Sequence, residues 1–79
     1  MTIHDRKIDS PSEASLRGAV VGYLASLPPS EWGQIRDVTI RIFGAEYTPP
    51  QFWEMHRLFI LMKAEGSVVL KSHIGWRAA

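Results

Sequence analysis

His4, His56 and His73 are the side chains of this sequence best suited to hold a metal or move a proton. No two of them stand four residues apart, and no cluster of carboxylates joins them, so metal-ligand spacing is missing. There is no cysteine, which removes thiolate nucleophiles, thiolate ligands and disulfides. Neither a G-x-S-x-G elbow nor a glycine-rich phosphate loop occurs, and nothing in the spacing supports a serine–histidine pair. The expectation is a protein that is not an enzyme and uses no cofactor or metal.

What remains is the chemistry of charge and hydrogen bonding. The net charge is +1, so any attraction to a polyanion must come from how the charges are distributed. From Thr48 to Ala79 the bases Arg57, Lys63, Lys71 and Arg77 face only Glu54 and Glu65, with His56 and His73 in reserve. That part of the chain is mildly basic.

The elements that must position these groups can be read from caps and periodicity. The 79 residues are 46% hydrophobic and 22% charged, enough for one compact domain with a modest core. Residues 1–9 mix charges without periodicity and read as a flexible arm before a single domain spanning 10–79. Ser10, Pro11 and Glu13 fit the N-cap, N1 and N3 positions of a first helix. Leu16, Ala19, Val20, Tyr23, Leu24 and Leu27 form its apolar stripe, and Pro28-Pro29 ends it. A second helix is expected from near Ser30, burying Trp32, Ile35, Val38 and Ile42, with Arg36, Asp37 and Arg41 outward. Gly44 suits the left-handed position that closes that helix.

Thr48, Pro49 and Gln51 then form a capping box for a third helix, which carries Phe52, Met55, Leu58, Phe59 and Met62 inward and stops at Gly66. Ser67 to Leu70 has strand character, Lys71 to His73 is polar, and Ile74 to Arg77 can return as a partner strand. Nowhere does an apolar run approach the roughly 20 residues of a membrane-spanning helix, and the first residues lack a signal-peptide pattern. A cytoplasmic protein without membrane contact is expected.

The stretch His56–Ala78, HRLFILMKAEGSVVLKSHIGWRA, resembles the end of a winged helix-turn-helix domain. Leu58, Phe59 and Met62 match the apolar end of the recognition helix, and Glu65-Gly66 its stop. Val68-Val69 match a strand, Lys71 to His73 a basic wing, and Trp76-Arg77 a return strand. The order of elements from Ser10 onward is similar too, so the expected fold is mainly helical: three helices closed by a small β-hairpin.

The resemblance implies a small DNA-binding protein, a dimeric transcription regulator. Helix 48–65 would read the major groove of double-stranded DNA, and the 67–77 wing would grip the backbone. The outward face of that helix carries Pro50, Trp53, Glu54, Arg57 and Leu61. Arg57 would meet a guanine edge or a phosphate, or else pair with Glu54 in solvent. Gln51 would read adenine, or serve only its cap. Glu54 would accept from a cytosine amino group, or repel phosphate. Lys71, His73 and Arg77 would hold phosphate or enter a minor groove.

Trp53 with Ile60 and Leu61 has three readings. The group covers the core or the arm, forms an apolar patch for a homodimer or protein partner, or supplies a ring for base stacking. Trp76 is expected to anchor the wing on the third helix. The second functional expectation is therefore a protein-interaction module, an adaptor or small inhibitor, built on the same fold around Trp53.

Overall fold

A computed structural model describes residues 12–79 of the chain. Three helices, α1 (Glu13–Ala25), α2 (Ile35–Phe43) and α3 (Pro49–Glu65), precede an antiparallel hairpin of β1 (Val68–Lys71) and β2 (Gly75–Ala78). This is the expected layout of a winged helix-turn-helix. The arm expected at residues 1–9, and Ser10 and Pro11 with it, lie outside the described residues.

The cap of α1 is Ser12, not Ser10. Its backbone is extended and its hydroxyl accepts from the Ser15 amide at 3.1 Å. Glu13 therefore sits at N1 rather than N3, and its carboxylate pairs with Arg17 one turn on, at 3.1 Å. Leu16, Val20 and Leu24 are buried, Tyr23 and Leu27 are half-buried, and Ala19 is exposed, so the stripe is narrower than expected.

α2 begins at Ile35, not near Ser30, and Trp32 lies before it. The reason is non-local. Gly33 is held in extended pairing with Trp76, which keeps this segment out of helical geometry. Val38 and Thr39 are fully buried, with Ile35 and Ile42 half-buried beside them. The Thr39 hydroxyl donates to the Ile35 carbonyl at 2.8 Å, so its burial leaves no polar atom unpaired. Gly44 ends the helix with φ 96° but ψ 167°, an extended exit rather than the left-handed turn expected.

α3 follows its sequence signals closely. The Thr48 hydroxyl accepts from the Gln51 amide, the Gln51 side chain accepts from the Thr48 amide, and Pro49 supplies the first turn. At the other end Gly66 is left-handed (φ 85°, ψ 9°). Its amide donates to Lys63 O and the Ser67 amide to Met62 O, which closes the last carbonyls in a Schellman motif.

Met55, Leu58, Phe59 and Met62 of α3 meet Leu16, Val20, Leu24 and Val38 in one core, roofed by Val68 and Trp76 of the hairpin. Burying side chains of this size stabilises by about 1.5–3 kcal/mol each. The strand register (Val68 with Ala78, Leu70 with Trp76) puts those four residues on the core side. Val69, Lys71, Gly75 and Arg77 therefore share the outer side. Trp76 sets its ring edge-on to Phe59, centroids 5.0 Å apart, and so anchors the wing on α3 as expected. Arg17 also reaches the end of α3, where its guanidinium donates twice to the Glu65 carboxylate, once at 2.9 Å.

Candidate interaction surface

With one face of α3 committed to the core, helical spacing turns Trp53, Glu54, Arg57, Ile60 and Leu61 toward solvent. Trp53 is 61% exposed, Ile60 46% and Leu61 36%. Among the described residues these three do not pack on the core; they form a second apolar face of the same helix. A helix that is apolar on both sides ordinarily has something packed on each.

Two shallow hollows meet at Trp53. One runs toward the end of α3 and is lined by Trp53, His56, Arg57, Ile60, Leu61 and Ala64. The other opens toward α2 and is lined by Arg36, Tyr47, Pro49, Phe52 and Trp53. The rings between them are in mutual contact. Tyr47 and Phe52 stack with centroids 6.2 Å apart, Trp53 stands edge-on to Phe52 at 5.3 Å, and His56 meets Trp53 edge-on at 5.5 Å.

The polar residues expected to read bases are mostly occupied. The Gln51 side-chain oxygen accepts from the Thr48 amide at 2.8 Å, so the acceptor needed for a bidentate adenine contact is already used. Arg57 donates to Glu54 at 3.2 Å, on a pair more than half exposed. The pair neutralises the Arg57 charge, and in solvent it adds little stability.

The wing residues are brought together in a way the sequence did not suggest. Lys71 and Arg77 both lie over the ring of Trp32, at 5.6 and 5.3 Å from its centroid. Arg77 also donates to the Pro29 carbonyl at 2.6 Å. His73 sits apart, exposed in the hairpin turn, with φ 65°. No carboxylate side chain occurs between Gly66 and Ala79, so the outer side of the hairpin is cationic.

Residues missed from sequence are Trp32, Arg36 and Tyr47. Each joins a surface through contacts with another element, and none carries a local signal for it. Among the described residues no three His, Asp or Glu side chains are grouped to hold a metal, and no helix is long and apolar enough to cross a membrane. Comparison with protein-family models, with curated proteins and with solved structures gives no match.

Proposed function

We propose that this chain is a protein-interaction module on a winged helix-turn-helix scaffold, docking through the outward face of α3. The observation that carries the reading is the exposure of Trp53, Ile60 and Leu61 on the helix that a DNA reader of this layout would place in the groove. Such a face suits the dry centre of a protein interface, where large rings supply most of the affinity. It suits a wet, anionic groove poorly. The groups that could compensate are engaged within the chain, Gln51 on its cap and Arg57 on Glu54.

The test is a photo-cross-link. With Trp53→p-benzoylphenylalanine, irradiation in the native cell should join the chain to a discrete protein, and Leu61→Asp in the same chain should abolish the adduct. Adducts to nucleic acid alone, or none above the background of the probe placed at Ala14, would overturn the reading.

A second reading, binding of double-stranded DNA by a dimeric transcription regulator in the cytoplasm, is favoured by one feature. The carboxylate-free hairpin holds Lys71 and Arg77 on a single outer side, with His73 at its turn. This reading leans on the fold, which by itself does not fix function. Its test is fluorescence anisotropy with labelled duplex at low salt. Lys71→Gln with Arg77→Gln should lower the slope of log affinity against log salt by about 2, since each phosphate contact contributes about 0.9.

A further inference from the structure

Resting on the docking reading, we propose that the hollow between α2 and α3 takes an acidic, proline-bearing peptide segment. Its proline ring lies on Tyr47, Phe52 and Trp53, and its carboxylate meets Arg36.

The lining of the hollow is mostly aromatic. Tyr47 and Phe52 stack with an interplanar angle of 28°, and both line the hollow. Trp53 stands at 76° to Phe52 and forms an upright wall, and Pro49 completes the rim. Three aromatic rings, one set edge-on to its neighbour, give the hollow apolar ring surface against which another ring can pack. The trough is shallow and open, whereas small molecules are held in enclosing clefts. An extended chain laid across the surface fits it better. A segment already in polyproline II geometry loses little conformational entropy on docking, and its ring faces stack on aromatic side chains.

The charged part of the lining is Arg36. It is exposed, lines the trough, and makes no ion pair or hydrogen bond among the described residues. Among the described residues no carboxylate lines the trough. Glu54, the acid nearest Trp53 along α3, is taken by Arg57. Among the described residues the site therefore presents an unpaired cation beside aromatic rings, and its complement is an anionic group beside an apolar ring. A basic peptide would meet like charge at Arg36.

The experiment uses the full chain, 15N-labelled, titrated with three synthetic decapeptides. One alternates proline with glutamate, one alternates proline with lysine, and one alternates glycine with glutamate. The proline–glutamate peptide should give saturable amide shifts at Arg36, Tyr47, Phe52 and Trp53, together with a change in tryptophan emission. The proline–lysine and glycine–glutamate peptides should bind at least tenfold more weakly. Arg36→Gln should weaken the proline–glutamate complex about tenfold or more, as loss of a charge-assisted hydrogen bond implies, and should not weaken the proline–lysine complex.

Both Arg36 and Trp53 are exposed, so Arg36→Gln and Trp53→Ala should leave the thermal midpoint within a degree or two and report on binding alone. Equal binding of the acidic and basic peptides would overturn the proposal, as would saturable shifts confined to other residues. So would no saturation at about 1 mM peptide, or duplex DNA producing the Arg36-dependent shifts instead. If the position-53 cross-link still captures a protein, only the partner chemistry falls; if it captures none, the docking reading falls with it.

Discussion

Gly33 and Trp76 exchange both main-chain hydrogen bonds, each 2.8 Å long. That single antiparallel pair ties the connection between α1 and α2 to β2, and two neighbouring side chains depend on it. The Trp76 indole goes inward against Phe59. The Trp32 side chain lies close against Gly75, and its ring gathers Lys71 and Arg77. The hairpin is thus fixed from both sides, and its outer cations are held by an aromatic ring from another part of the chain.

Gly75 should be intolerant of any side chain. A Cβ placed there would come within 2.7 Å of the Gly33 carbonyl oxygen and 2.8 Å of Trp32 Cβ, at φ +154°. The first of these is backbone, so the strain cannot be relieved by a rotamer change. Gly75→Ala should cost about 1–3 kcal/mol, read as a lower urea midpoint with the helical circular dichroism spectrum retained. An unchanged midpoint would mean that the Gly33–Trp76 pair is not a fixed feature.

Phe59 is fully buried and touches both the α3 core and the wing anchor. Phe59→Ala should cost about 3–5 kcal/mol, a large share of the 5–15 kcal/mol typical of a folded domain (roughly). Thermal unfolding should show a midpoint lowered by tens of degrees, or no folded baseline.

Gln51 gives a way to separate a cap from a reader. If its side chain serves the Thr48 amide, Gln51→Ala lowers stability by several tenths of a kcal/mol, and Thr48→Ala lowers it by about 1 kcal/mol. Both should shift urea midpoints, in that order of size. A Gln51→Ala chain of unchanged stability would contradict the cap role.

The Arg17–Glu65 contact makes a pH prediction. Hydrogen bonding to the Arg17 guanidinium holds the Glu65 carboxyl below its ordinary range, against the smaller opposing effect of desolvation. A carboxylate depressed in the folded state stabilises fully above its unfolded pKa, and that contribution is lost as pH falls through the folded pKa. Wild type should therefore exceed Glu65→Gln in stability at neutral pH. The gap should close below the carboxylate range, and it should shrink at high salt because the pair is exposed. A gap independent of pH would exclude the ion pair as its source.

Legibility in the sequence followed the range of the interactions. α3 was read correctly at both ends because its capping box and its glycine stop are local. The outward placement of Trp53, Glu54, Arg57 and Leu61 followed from that register. The start of α2 was misplaced because Trp32 and Ile35 stand at helical spacing, although Trp32 is half-buried by the hairpin rather than by a helix. The cap of α1 was misplaced by two residues because Ser10-Pro11-Ser12-Glu13 offers two competing serines. Arg36 joining Tyr47 and Trp53, and Lys71 joining Arg77 over Trp32, depend on how distant segments meet. No period or motif encodes them.

Trp53→Glu tests most directly whether the outward face of α3 meets protein and not a DNA groove. The measurement is duplex affinity by fluorescence anisotropy at about 50 mM salt, for wild type and for this variant, with random and with selected sequences. A new carboxylate on the outward face of a groove-reading helix would repel phosphate and cost at least about tenfold. Docking of protein on this face leaves either no duplex complex at all, or one held by the hairpin and unchanged within about twofold by Trp53→Glu. A sequence-selective complex that Trp53→Glu or Arg57→Ala abolishes would contradict it.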